Sequence, residues 1–226
     1  MSASLQDPDL QAHWDYFIAL DEDLWTLRRY IAFEAANLGT YSIECHRIIQ
    51  MAALETEAVL YQICKLRNGT CESGTGRTRP FGELLEHLRD FLEEHGLELG
   101  RIRVQYVGSL VVQPFPPGSP GNALPWWDAY TALKHRRHEA LQKATLQHAL
   151  QASGALVTAI TALAFLRRQG NGPVDLHPIP RTIFHIQHNG KDLASLTGVL
   201  GPPYVIWRVE IPPKRQGEPD HDPPLG

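Results

Sequence analysis

The sequence predicts a mainly α-helical protein, with an antiparallel helical bundle over residues 1–170, a small β-hairpin insertion at about 101–115 and a short β-rich C-terminal extension over 171–213. A tail from 214 to 226 carries too little apolar content to fold. Three observations predict this. Apolar residues recur at helical spacing in four long segments. β-Branched residues gather instead in short runs near 101–115, 182–187 and 204–211. Clusters of Gly, Pro and Asn separate the segments.

In chain order, Trp14, Phe17, Ile18, Leu24, Leu27 and Ile31 place a helix over about Asp9 to Phe33, as one piece or as two broken at Asp21-Glu22-Asp23. Asn37-Leu38-Gly39 reads as a helix stop and Thr40 as the N-cap of a helix from about Tyr41 to Leu66. That helix carries Ile48, Ala52, Val59 and Ile63 on one face, with Glu55 on the same face. Residues 68–80 are rich in Gly, Thr and Ser and read as a loop, with a turn at Asn68-Gly69-Thr70. Without Gly-Lys-Ser/Thr, the loop has no phosphate-binding signature. A third helix, Phe81 to His95, keeps its leucines on one side and its acids elsewhere.

Pro125 suits the first position of the next helix, because its missing N–H has no partner there anyway. Residues His138 to Gln169 show two apolar stripes, the mark of a central helix, stopped by Gly170-Asn171-Gly172-Pro173. Its apolar core, Ala152 to Leu166, is shorter than the roughly 20 residues a bilayer needs, and reads as buried, with no membrane role expected. Asn189-Gly190 is a turn signal between the last strand-like runs.

A net charge of -4 is a poor fit to nucleic-acid binding by the global field, so any such contact must rest on a local basic patch. Cys45, Cys64 and Cys71 are odd in number and unpatterned, which argues against a disulfide framework and against zinc. The N-terminus has no basic start followed by an apolar run, so a cytoplasmic setting is expected.

The densest chemistry lies in Pro125-Trp126-Trp127-Asp128-Ala129-Tyr130-Thr131-Ala132-Leu133-Lys134-His135-Arg136-Arg137-His138. On a helix, Trp127, Tyr130, Lys134, Arg137 and His138 fall on about one side. Aromatic surface beside positive charge can stack a base and hold a phosphate, with His135 or His138 titrating near neutral pH. The competing reading makes the tryptophans core anchors and the basic run a solvated helix end. Glu55, a carboxylate on an apolar face, needs a partner or an edge position, and Lys134, His135 or Arg137 can serve. His148 reads as a hydrogen-bonded core histidine. His185 and His188, three apart on a strand, point to opposite faces, so no metal site is expected from them.

Thr40-Tyr41-Ser42-Ile43-Glu44, Ala53-Leu54-Glu55-Thr56-Glu57 and Trp126-Trp127-Asp128-Ala129-Tyr130, leading into Leu133-Lys134-His135-Arg136-Arg137, resemble bacterial proteins of the HEPN-like superfamily (higher eukaryotes and prokaryotes nucleotide-binding). The resemblance covers about residues 10 to 168. It implies a helical bundle, a homodimer, and either a metal-independent endoribonuclease of a defence or toxin type or a non-catalytic binding or regulatory module, with RNA or a protein as partner and no cofactor. In the active members an Arg and a His with four to six residues between them meet at the dimer interface, supported by an acidic residue. Here that spacing occurs at Arg89 to His95 and Arg181 to His188, neither of them where the resemblance would place the motif, and Lys134-His135-Arg136-Arg137-His138 is more compact. Carried onto this chain, the catalytic reading makes His135 the general acid or base, Arg137 and Lys134 the phosphate stabilisers and Glu55 the orienting acid. Trp127, Tyr130, Arg136 and His138 would hold nucleic acid.

Overall fold

The computed structural model describes residues 7–67, 71–72, 78–117, 124–167, 174–198, 205–209 and 211–212. The turn at Asn68-Gly69-Thr70, the helix stop at 170–173 and the tail over 214–226 lie outside them. The fold is mainly helical, with one antiparallel sheet. Its helices are α1 (Pro8–Leu27), α2 (Ile43–Leu66), α3 (Phe81–Glu94), α4 (Pro125–Ala140) and α5 (Leu146–Arg167). Helix α5 is long and apolar enough to cross a membrane, but α1, α2, α3 and α4 all pack against it and nearly all of it is buried.

The first helix is one piece. Asp7 accepts the N–H groups of Asp9 and Leu10 and caps α1, and Pro8 occupies its first turn. No break occurs at Asp21-Glu22-Asp23, because Asp21 points inward from the stripe of Trp14, Phe17 and Leu24. There its carboxylate accepts the backbone N–H of Arg181 at 2.5 Å and of Thr182 at 3.0 Å, and the Thr182 hydroxyl. Burial pushes the Asp21 carboxyl above its usual range, against the pull of these donors. The chain leaves the helix after Leu27, short of Phe33, and a 3₁₀ turn at Ala35–Asn37 leads to α2.

Ser42 caps α2, accepting the Cys45 N–H at 3.0 Å, in place of the expected Thr40. Thr40 is committed elsewhere: its carbonyl accepts the Leu146 N–H at 2.8 Å, and Leu38 accepts that of Gln147 at 3.0 Å. The first N–H groups of α5 thus find loop carbonyls as partners. That junction also corrects the expected helix from His138. Arg136 leaves helical geometry (φ -142°, ψ 48°), a short 3₁₀ turn follows at Leu141–Lys143, and α5 begins only at Leu146. The Thr145 hydroxyl accepts the His148 N–H at 3.2 Å, and the His148 ring meets the Lys143 carbonyl at 2.7 Å, so His148 belongs to this half-buried cap and not to the core.

The sheet runs β2-β1-β4-β5-β6-β3, with β1 at Ile102–Tyr106, β2 at Val111–Val112, β3 at Val174–Leu176, β4 at Ile183–His188, β5 at Lys191–Gly198 and β6 at Val205–Val209. Strand β1 pairs with β2 through Val104↔Val112 and with β4 through Val104↔Ile186. The 102–112 segment and the C-terminal strands therefore share one sheet. Asn189 and Gly190 both take positive φ in the two-residue turn joining β4 to β5. Ile102, Val104 and Tyr106 face inward, and the Tyr106 hydroxyl donates to the Leu150 carbonyl at 2.6 Å. A Cβ on Gly154 of α5 would meet Pro114 at 3.0 Å and Val104 at 3.3 Å, so glycine there lets helix and sheet approach.

One cysteine expectation fails. Cys64, at the end of α2, forms a disulfide with Cys71, with Cα atoms 5.9 Å apart. The pairing depends on how the chain doubles back after α2, which an unpatterned spacing does not show. Cys45 is free and buried, and burial pushes its thiol up.

Candidate nucleic-acid interface

The first half of α4 is core. Trp126 is fully buried and its Nε1 donates to the Pro114 carbonyl at 2.9 Å. Trp127 stacks on Phe81, ring centroids 3.6 Å apart and 15° from parallel, and its other near neighbours are Trp126 and Tyr130. Tyr130 is buried. Neither Trp127 nor Tyr130 therefore offers the open aromatic face expected of a base-stacking platform, because the helix spends both rings on packing against α3 and its own neighbours.

The second half of α4 is the opposite. Lys134, His135, Arg136, Arg137, His138 and Glu139 are all exposed, across the kink at Arg136. Lys134 Nζ lies 5.5 Å from the Tyr130 ring centroid, and His138 meets Glu139 at 3.4 Å. Among the described residues Arg136 and Arg137 have no carboxylate partner.

This turn sits against the start of α2. The Ser42 N–H donates to the Ala144 carbonyl at 3.2 Å, and Tyr41 bridges Thr145. The exposed Tyr41 and Ile43 thus adjoin the junction that leads from the cationic turn into α5, and Arg137 of the turn lies close enough to His46, in the first turns of α2, for its charge to act there. His46, in the first turns of α2, is buried and its Nε2 has no hydrogen-bond partner. Burial, and then the nearby charge of Arg137, hold this imidazole below the usual histidine range.

Glu55 does not join the cluster. Nine residues beyond His46, it lies about 14 Å further along the helix at a rise of 1.5 Å per residue, and it pairs with His13 of α1, Oε1 to Nδ1 at 2.5 Å. Its negative charge, after burial, raises the Tyr16 phenol, whose hydroxyl donates to Met51 Sδ at 3.3 Å. His13 was invisible in the sequence, since 42 residues separate it from its partner. His46 and Asp21 were legible in principle, as titratable groups on apolar stripes: His46 with Ile49, Ala53 and Leu60, Asp21 with Trp14, Phe17 and Leu24.

The two strand histidines diverge. His188 is buried and its Nε2 accepts the Glu98 N–H at 3.0 Å, whereas His185 pairs with Asp192 at 3.1 Å. Among the described residues no group of three His, Cys, Asp or Glu is placed to hold a metal. The arrangement of charge therefore suits an anion bound at the α4 turn more than a preassembled acid–base pair. No protein-family model, no curated protein and no solved structure matches this chain.

Proposed function

We propose that the chain is an RNA-directed, HEPN-like protein whose helices form an antiparallel bundle and whose Lys134–His138 turn holds the phosphate backbone of single-stranded RNA. One observation carries the reading: five consecutive cationic or titratable side chains stand exposed at a kink, seated beside a helix N-terminus. Exposed guanidinium and ammonium groups bind phosphate by charge and counterion release, whatever the sequence. Trp126 is fully buried and Trp127 stacks on Phe81, so both are structural, which supports a binding module. A metal-independent endoribonuclease is the second reading, favoured by the exposed His135 next to Arg136 and Arg137, where an imidazole can exchange a proton with a ribose hydroxyl while Arg137 and Lys134 stabilise phosphate charge.

The test is binding and cleavage of a fluorescent single-stranded RNA in excess chelator. Tight binding that weakens with a slope of about -2 in log K against log salt, as three phosphate contacts at 0.7 each require, supports the reading, and salt-independent or absent binding overturns it. Cleavage by the wild type that His135→Ala abolishes selects the endoribonuclease, whereas intact RNA selects the binding module. A cytosolic setting belongs to the same proposal. The Cys64–Cys71 disulfide weighs against it, because disulfides persist mainly in oxidising compartments, so thiol titration of the freshly purified, denatured protein decides: three free thiols, with that pair reduced, support the cytosol, and one thiol opposes it.

A further inference from the structure

The open aromatic surface that Trp127 and Tyr130 do not offer is present at the far end of α1. Trp25 is 36% exposed, and Tyr30, just past the helix, is 78% exposed. Arg28 follows Trp25 by about one turn, so the two share a face. Its guanidinium stands over the indole, 4.7 Å from the ring centroid. Trp25, Arg28 and Arg29 line an open hollow of about 280 Å³. Among the described residues no carboxylate lines that hollow, and neither arginine has a carboxylate partner.

This surface lies at the same end of the bundle as the cationic turn. His13 pairs with Glu55, and Asp23 with Arg47 at 2.7 Å, so α1 and α2 run antiparallel. The chain beyond Asp23 is thereby carried to the start of α2, where Arg137 acts on His46 and the exposed Tyr41 adjoins the junction into α5. Asp23 and Glu44 are spent on Arg47. The other exposed acids of this end, Glu22, Glu34 and Glu139, are outnumbered by Arg28, Arg29, Lys134, Arg136 and Arg137. Such a field favours a polyanion. Aromatic rings and guanidinium planes on one face stack bases while the cations hold phosphate. An anionic membrane surface asks instead for a continuous apolar face with its cations on the opposite side, which Trp25 and Arg28, on a common face, do not make. We propose that Trp25 and Tyr30 form a base-stacking platform, flanked by the phosphate-binding Arg28 and Arg29, for the single-stranded RNA whose backbone the Lys134–His138 turn holds. The inference rests on the RNA-directed reading and adds to it the surface that receives the bases.

The experiment compares two labelled octamers of equal backbone charge, octaadenylate and an abasic octaribonucleotide, by fluorescence anisotropy in excess chelator. The full chain is measured beside Trp25→Ala, Trp25→Phe, Tyr30→Ala and the double change Arg28→Ala, Arg29→Ala, each first checked for an unchanged thermal midpoint. Tyr30→Ala, at the most exposed ring, carries the test should Trp25→Ala unfold. The wild type is expected to prefer octaadenylate roughly 25-fold, two stacked bases at about fivefold each. Each alanine change at a ring removes about fivefold of that preference and leaves the abasic octamer and the salt slope unaltered, whereas Trp25→Phe, which retains a ring, keeps the preference. The double arginine change weakens both octamers and flattens the salt slope by about 1.4, two contacts at 0.7 each. Equal binding of the two octamers by the wild type, or a preference that survives both alanine changes at the rings, overturns the platform while leaving the RNA-directed reading intact. Absence of binding to both octamers removes that reading as well. Sedimentation with vesicles of phosphatidylserine and phosphatidylcholine is the last arm. Vesicle binding that Trp25→Ala and Tyr30→Ala abolish, with octaadenylate binding unchanged, overturns the platform in favour of a membrane surface.

Discussion

The two halves of α4 are a contrast within one helix. From Trp126 to Leu133 it is a core element, with Trp126, Ala129, Tyr130, Ala132 and Leu133 buried. From Lys134 to Glu139 every residue is exposed. The change comes where the backbone kinks at Arg136 and the chain turns toward α5. A helical wheel drawn through the whole segment puts Trp127 and Arg137 on one side and implies a mixed aromatic and cationic face. The kink and the stacking on Phe81 separate the two, so the first half supplies stability and the second is left free to bind.

Substitutions in the two halves sharpen this contrast. Trp126→Ala is expected to cost about 3–5 kcal/mol by urea denaturation, through the cavity and the orphaned Pro114 carbonyl. The triple change Lys134→Ala, Arg136→Ala, Arg137→Ala is expected to stay within about 0.5 kcal/mol of the wild type. A large loss in the triple variant would mean that the turn is structural after all. The same triple variant is expected to weaken RNA binding by tenfold or more at low salt and to flatten the salt dependence by about two units of slope, the share of three contacts to a single strand. Trp126→Ala is expected to reduce RNA binding only in proportion to its unfolded fraction.

Two smaller effects probe the frame that holds the turn in place. Gly154→Val is expected to cost about 1–3 kcal/mol by overpacking, since its side chain would press on Pro114 and Val104, and a neutral result would show that α5 is not seated tightly on the sheet. Asp21→Ala leaves the Arg181 and Thr182 N–H groups without their acceptor, and a loss of about 1–3 kcal/mol is expected, read as a lower thermal midpoint.

The finest test is the titration of His46. Its native pKa lies below the ordinary 6.5, so its share of stability is complete above that value and is lost as pH falls through the native one. Removing the charge in Arg137→Ala is expected to move the His46 titration upward in an NMR pH series. RNA phosphate placed beside Arg137 is expected to do the same. No movement in either case would separate His46 from the binding turn.

Much of the helical frame was legible because its signals are local. The spacing of Ile48, Ala52, Val59 and Ile63 places α2, and Pro125 marks the start of α4. The Asn189-Gly190 pair marks the turn between β4 and β5. Strands β3 and β5 escaped notice. Val174–Leu176 is short and Lys191–Gly198 lacks an apolar run, and both are defined by pairing with β6 and its neighbours. The same limit hid the fate of Glu55. A carboxylate on a partly apolar face announces that it needs a partner, but nothing along the chain says whether the partner is the nearby basic cluster or a histidine on α1.

The sequence by itself determined the mainly helical character, the central place of α5 and the existence of a basic run within an otherwise acidic chain, because periodicity, hydropathy and charge are properties of neighbours along the backbone. Only the tertiary structure decided that Trp127 and Tyr130 are packed, that Cys64 meets Cys71, that His13 takes Glu55 and that the Lys134–His138 turn lies against the start of α2. Each of those outcomes depends on which distant surfaces are brought within a hydrogen bond's length of one another, and that is settled by how the helices pack, not by the pattern along any one of them.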